Sequence, residues 1–293
     1  MVTLPFTFEE YHGRQSRLLE QIPTDSLVLI PTNPVSYRSN DTSFPYRANS
    51  YMLYLCGWDE PEAVFMAHHV ADSWVTTLFV QPRDTKAEIW TGRRVGTEGA
   101  ASGWPVHEAH SINDLKDIAG THLDSCKQAY LIQGLNSTLD EIVNSSIDID
   151  SADPTSILDE MRVRKSDKEI RLMLESADIA SAAHVAAISK GYAGIGEWQI
   201  QSVIEAHFTA SKSRWSYPSI VGGGDNATIL HYNANESVIA EGELVLVDAG
   251  CEVSGYASDI TRTWPVSGKF SDQQREIYEL VLKAQLAGIE ACQ

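Results

Sequence analysis

At 293 residues and 43% hydrophobic content, the chain is long enough for two domains, each burying its own core. Its formal net charge of −18, from 22 basic against 40 acidic residues, argues against a nucleic-acid or anionic-membrane surface, which needs an excess of Lys and Arg. Cys56, Cys126, Cys251 and Cys292 lie far apart without a C-x-x-C pair, the usage of free thiols in a reducing compartment. The opening stretch MVTLPFTFEEYHGRQ has no basic or apolar signal region, and runs such as SLVLIP are too short for a bilayer, so a soluble cytoplasmic protein is expected.

From Ser26 to Ile132, the β-rich runs SLVLIPT, EAVFMAH, SWVTTLFVQP, AEIW and QAYLI recur between Asn, Asp, Gly and Pro clusters, which reads as an α/β domain. The polar segment NSSIDIDSADPTS, with Pro154, reads as a linker or irregular passage. At Ser166 the character changes. Ser166 and Glu169 form a capping-box pattern, and a helical repeat through Ile170, Met173, Ala177, Ala180 and Ala187 runs to Gly191. Domains over residues 1–165 and 166–293 are the expectation.

His184 lies in that helix and His207 in the next, GEWQIQSVIEAHFTASK. Neither has a companion at ligand spacing, so both read as packed or solvated side chains. The three glycines of IVGGGDNATILHY fit no phosphate-loop pattern and read as tight or closely approached backbone. In the last segment, Ser271 and Gln274 form a second capping box ahead of an amphipathic helix that has no stop signal by Gln293, so the chain reads as cut short.

The chemistry is concentrated in LVLVDAGCEVSGYASDITRTW. Leu244 to Val247 is a continuous apolar run, a buried-strand signal, and a second β-rich run follows the turn residues CEVSG. Each run carries one aspartate. A hairpin loop of even length sets Asp248 and Asp259 on one face: directly opposite with a Glu252–Gly255 loop, or one diagonal apart with a Ser254–Gly255 loop. Like charges so placed call for a proton or a cation, and carboxylate-bridged hard cations activate water. The alternative is that Asp248 ends a strand while Asp259 pairs with Arg262 or caps a turn. The D-x10-D spacing alone does not decide between them.

The run SYPSIVGGGDNATILHYNANE, continued by the hairpin and PVSGKFSDQQREIYELVL, closely resembles the Xaa-Pro aminopeptidases (aminopeptidase P) of the pita-bread metallopeptidase group. RSNDTSFPYRANSYMLYLCGWDEPEAVF and AEIWTGRRVG resemble the amino-terminal domain of the same family. The resemblance implies an α/β amino-terminal domain followed by the first half of an α+β pita-bread domain. It also implies release of an N-terminal residue that precedes proline, with two divalent ions, usually manganese, as cofactors.

By the same resemblance, Asp248 and Asp259 are metal ligands, His231 hydrogen-bonds the substrate or the tetrahedral intermediate, and Tyr217 and Thr261 support the metals. Asp41 and Trp90 match positions presented to a neighbouring subunit's active site, which implies a homo-oligomer. The family uses five metal ligands, and its remaining histidine and two glutamates lie beyond the position where this sequence stops. The expectation is therefore weak metal binding, exposed apolar surface and no peptidase activity for the chain as given. Competing readings are a prolidase acting on Xaa-Pro dipeptides, a non-catalytic interaction or oligomerisation module, and a metal-independent hydrolase like creatinase.

Overall fold

The computed structural model describes residues 4–146 and 149–292, and the chain divides into two compact units, Met1–Lys165 and Ser166–Gln293. In the first, strands β1 (Ser26–Pro31), β2 (Tyr37–Ser39), β3 (Thr42–Ser43), β4 (Val64–Val70), β5 (Ser73–Val80), β6 (Glu108–Ser111), β7 (Gln128–Leu131) and β8 (Asp150–Ala152) are interleaved with seven helices. The helices are α1 (Phe8–Leu19), α2 (Ser50–Cys56), α3 (Thr85–Thr91), α4 (Gly96–Gly103), α5 (Leu115–Leu123), α6 (Ser137–Asn144) and α7 (Thr155–Val163).

Six strands make one mixed sheet in the order β6-β5-β4-β1-β7-β8, and β2 pairs with β3 alone. Central β1 is antiparallel to β4 and parallel to β7. Its residues alternate between two cores: Val28 and Ile30 pack with Leu18, Met52 and Leu158 on one face, and Leu27 and Leu29 pack with Leu115, Leu139 and Val143 on the other. Helices on both faces explain why the strand is buried throughout and reads as an uninterrupted apolar run.

Two readings of this unit are corrected. AEIW is helical, within α3. Asp84 caps that helix by accepting from the amides of Lys86 and Ala87, and this outweighs the β preference of Ile89 and Trp90. The polar segment after Asn144 supplies the edge strand β8, parallel to β7; Ile147 and Asp148 within it lie outside the described residues. The four cysteines are free thiols. Among the described residues, no helix is long and apolar enough to cross a membrane.

The second unit is built from α8 (Asp167–Lys190), α9 (Glu197–Ala210), β9 (Arg214–Trp215), β10 (Ile220–Gly223), β11 (Leu244–Asp248), β12 (Cys251–Val253), β13 (Tyr256–Ala257), β14 (Thr261–Pro265) and α10 (Asp272–Glu290). Full capping boxes start α8 at Ser166 and Glu169 and α10 at Ser271 and Gln274. Two three-stranded sheets, β10-β11-β14 and β13-β12-β9, share the long hairpin running from β11 to β14.

Val245, Val247 and Ala249 of the hairpin pack on Ala180, Ala183 and Ala187 of α8 and on Ile200, Ile204 and Phe208 of α9. Beyond the capping Glu169, the buried face of α8 is thus small: Ser176, Ala180, Ala183, His184 and Ala187. Ile170 and Met173, expected there from the repeat, are exposed. Ile277, Leu280, Val281 and Leu286 of α10 are exposed as well.

Candidate metal centre

Asp248 is the last residue of β11, between Ile220 of β10 and Thr261 of β14, its register partners on either side. Beyond it the chain passes through Ala249 and Gly250 into β12 and turns at Ser254 and Gly255. Both turn residues have positive φ, +51° and +84°, as a type I′ two-residue turn requires. The register set there, Val253 opposite Tyr256 and Glu252 opposite Ala257, is the one that sets Asp248 opposite Thr261. Asp259 accordingly falls opposite Gly250, one diagonal from Asp248 on the same face. Of the two loops compatible with the sequence, the shorter one forms.

The strands come unusually close at this point. A Cβ on Gly250 would lie 1.8 Å from the Ser258 carbonyl oxygen, so only glycine fits beside Asp259. The same face is less buried than the apolar run suggests. In β11, Val245 and Val247 are buried, whereas Leu244, Leu246 and Asp248 are only half-buried, and Asp259 is exposed. The expected pair of buried charges is corrected to a pair at the rim of a cleft. β11 has one face on the helices, so its apolar residues alternate between the core and a half-buried face.

The side chain that joins the two carboxylates is Tyr217, from the segment between β9 and β10. Its hydroxyl makes a short hydrogen bond to Asp248 Oδ1 and lies 2.9 Å from Asp259 Oδ1. Burial, followed by these two contacts, holds the phenol well above its usual range and keeps it neutral. One hydroxyl carries one proton, so it satisfies one carboxylate at a time. Arg262 does not assist: its guanidinium donates to the Thr261 carbonyl, and among the described residues neither aspartate forms an ion pair. This removes the Asp259–Arg262 alternative.

Tyr217, Asp248 and Asp259 line a cleft of about 280 Å³ together with Pro218, Ile220, His231 and Asn233. His231 and Asn233 are exposed, on the irregular segment that follows β10. Thr261 is exposed on β14, across from Asp248. Asp41, in the turn between β2 and β3, and Trp90, 88% exposed on α3, belong to the first unit. Pro218, Ile220 and Asn233 were not singled out from the sequence, because apolar and amide side chains form no motif by themselves.

Behind the carboxylates, α8 holds the hairpin with two polar clamps. His184, 3% exposed, places Nε2 3.0 Å from the Ala249 carbonyl, between the two aspartates; burial lowers its pKa. Two turns earlier, the Ser176 hydroxyl donates to the Cys251 carbonyl, and the Ser258 hydroxyl donates to the Ser176 carbonyl. His184 is thus packed, as its isolation in the sequence implies. His207 is half-buried on α9 and does not line the cleft. The triple glycine is closely approached backbone: a Cβ on Gly222 would meet the Ala227 amide at 2.8 Å.

Two converging carboxylates with a shared proton and no cationic side chain fit a hard divalent cation. They would make up part of a shell. Among the described residues, no group of three or more His, Cys, Asp or Glu side chains gathers to hold an ion.

The chain was compared with known proteins. Residues 11–132 match the family described as Aminopeptidase P, N-terminal domain, and residues 171–293 match Metallopeptidase family M24. Xaa-Pro aminopeptidase of Haemophilus influenzae is 40% identical over 96% of this chain, and that of Escherichia coli is 38% identical over 94%. The chain spans 66% of the length of each. An alanine-substituted form of Escherichia coli aminopeptidase P superposes with a TM-score of 0.93 at 36% identity, covering 98% of this chain and 68% of that one. Proline aminopeptidase P II from Yersinia pestis gives 0.91 at 37% identity, covering 95% and 67%. With both family domains in order and this agreement of sequence and fold, the chain belongs to the aminopeptidase P family, an amino-terminal domain of that family followed by pita-bread metallopeptidase structure.

Proposed function

We propose that this protein serves metal-dependent hydrolysis of peptides whose second residue is proline, releasing the residue before it. The observation that carries this is the convergence of Asp248, Asp259, Tyr217 and His231 on one cleft, in a chain whose relatives are named Xaa-Pro aminopeptidases. Asp248 and Asp259 would hold divalent ions, with manganese as our choice, and Thr261 would support them from β14. Such ions lower the pKa of a bound water and polarise the scissile carbonyl.

The chain's own residues have separate tasks. The two carboxylates set where positive charge can sit. Tyr217, kept neutral, offers its proton to whichever carboxylate oxygen the cation leaves free. His231, exposed at the rim, is placed to hydrogen-bond a substrate carbonyl or the oxyanion derived from it. Proline's tertiary amide has no N–H and excludes the contacts that ordinary peptidases use, so recognition falls to the walls of the cleft, including the apolar Pro218 and Ile220. Asp41 and Trp90 are proposed to serve a neighbouring copy's site in a homo-oligomer.

Two carboxylates are fewer protein ligands than the three usual at a catalytic metal. Metal bound per chain is therefore measured together with peptide cleavage. Manganese binding that is weak and lost in Asp248→Asn and Asp259→Asn supports the assignment; binding indifferent to both overturns it. Cleavage of Xaa-Pro-Yaa peptides that stops on chelation supports the aminopeptidase reading, and cleavage confined to Xaa-Pro dipeptides replaces it with a prolidase.

A further inference from the structure

We propose that Glu197, in the first turn of α9, is the positioning residue that fixes His231 at the cleft, an inference that rests on the reading of His231 as a substrate-contacting group. His231 sits in a stretch with little structure of its own. Between the end of β10 at Gly223 and the start of β11 at Leu244 the regular structure is a 3-10 turn, Gly224–Thr228, and one isolated bridge from Val238 to Gly196. Such a segment needs an anchor outside itself if an exposed side chain on it is to hold one position.

Two buried side chains anchor the segment: Asn235, which accepts from the Val221 amide and donates to the Ser219 carbonyl and to Gln201 Oε1, and Glu197, a carboxylate with no exposure to solvent that reaches Tyr232 beside His231. Glu197 Oε1 accepts from the Gly223 amide at 2.8 Å and from Asn226 Nδ2 at 3.0 Å. Its Oε2 accepts from the Tyr232 hydroxyl at 2.8 Å and from the Ser237 amide at 2.9 Å. The Glu197 amide donates in return to the Ser237 carbonyl at 2.9 Å. The four donors run from the end of β10 through the 3-10 turn and Tyr232 to Ser237.

Tyr232 is the neighbour of His231 in the chain. With the Tyr232 hydroxyl drawn to Glu197, the preceding residue is left at the surface, where His231 and Asn233 line the cleft. A buried carboxylate costs more than a buried amide unless its acceptors are matched. Here all four contacts come from donors, which a carboxylate accepts and an amide NH2 cannot. Asn226 adds cross-links to the Tyr232 hydroxyl and to Ser237 Oγ, both at 3.1 Å, so the segment is tied to itself as well as to α9.

The test uses Glu197→Gln, which keeps the shape but turns an N–H2 toward donors, and Tyr232→Phe, which removes one hydrogen bond and keeps the ring. The primary readout is the His231 imidazole NMR signal, assigned by its loss in His231→Asn. In both variants it should shift or broaden while the methyl signals of Val245 and Val247 in β11 stay in place; unchanged His231 signals overturn the proposal. Should Glu197→Gln fail to fold, Tyr232→Phe decides by the same readout.

Where the parent protein cleaves a Xaa-Pro-Yaa peptide, each variant should lower kcat by roughly 10- to 100-fold, the scale of a small misplacement. Neither should lower it further when His231 is already Ala, whereas additive losses would make Glu197 merely structural and overturn the proposal. An effect on the His231 signal in a chain where His231→Ala leaves hydrolysis unchanged would refute the functional reading and still establish the positioning.

Discussion

Gly250→Ala tests the geometry that brings the two aspartates together. The added Cβ would stand 1.8 Å from the Ser258 carbonyl oxygen and 2.6 Å from its carbon, both backbone atoms that no rotamer change can move. Restoring an ordinary contact means parting the two legs of the hairpin by more than an ångström. That displacement strains three hydrogen bonds: Cys251 N to Ser258 Oγ at 3.1 Å, Ser258 N to the Cys251 carbonyl at 2.8 Å, and Ser216 N to the Gly250 carbonyl at 3.0 Å. At about 1 kcal/mol net each, with about 1–3 kcal/mol for overpacking, the expected destabilisation is about 4–6 kcal/mol. Urea unfolding followed by tryptophan fluorescence measures it, with Gly288→Ala as control. Gly288 lies in exposed α10 with nothing within 4 Å of the added methyl, and Ala there should stabilise the helix by up to about 1 kcal/mol. A Gly250→Ala protein within about 1 kcal/mol of the parent would refute the close approach and, with it, the diagonal placement of Asp248 and Asp259.

Three further outcomes are expected. Gly255→Ala, at φ +84° in the hairpin turn, should cost about 1–2 kcal/mol in the same unfolding experiment, and a neutral result would argue against the type I′ turn. Tyr217→Phe leaves the carboxylates facing each other without a proton between them; a loss of about 1–2 kcal/mol is expected, recovered by added manganese and not recovered when Asp259 is also Asn. In the amino-terminal unit, burial lowers the pKa of both His68 and His122, whose rings meet at a 31° tilt with centroids 3.8 Å apart. The unfolded chain then binds protons more readily than the folded one, so their contribution is full above about pH 6.5 and is lost as pH falls below it. Urea midpoints of that unit should fall between pH 7.5 and pH 5.5, more steeply than in His68→Gln; equal slopes would count against the paired histidines.

The hairpin shows how far the sequence carries and where it stops. Pairing parity needs only residue numbers, so the shared face of Asp248 and Asp259 was legible, along with the two loops that permit it. The choice between the loops depends on Ser254 accepting a left-handed φ beside Gly255, a preference too weak in serine to read from the letters. Burial was misread because Leu244 to Val247 is apolar at every position, although only alternate residues reach α8 and α9. AEIW was misread for a related reason: the aspartate that caps α3 lies outside the run, and side-chain preference within it pointed elsewhere.

Glu197 marks a deeper limit. A glutamate in the first turn of a helix is what the helix dipole favours, so on sequence alone it looks ordinary. Its donors are contributed by residues 26 to 40 positions further on, in a segment with no periodic pattern. Asp248 and Asp259 draw notice in the sequence because like charges facing each other in β-rich runs conflict with local preferences. A buried carboxylate at a helix start conflicts with none, and only the fold shows that it carries the segment bearing His231. The carboxylates and the histidine thus reach the cleft by different routes. A strand register fixes the carboxylates and a buried side-chain anchor that reaches Tyr232 fixes the histidine, so substitution at Gly250 should disturb metal binding first, and substitution at Glu197 should spare it.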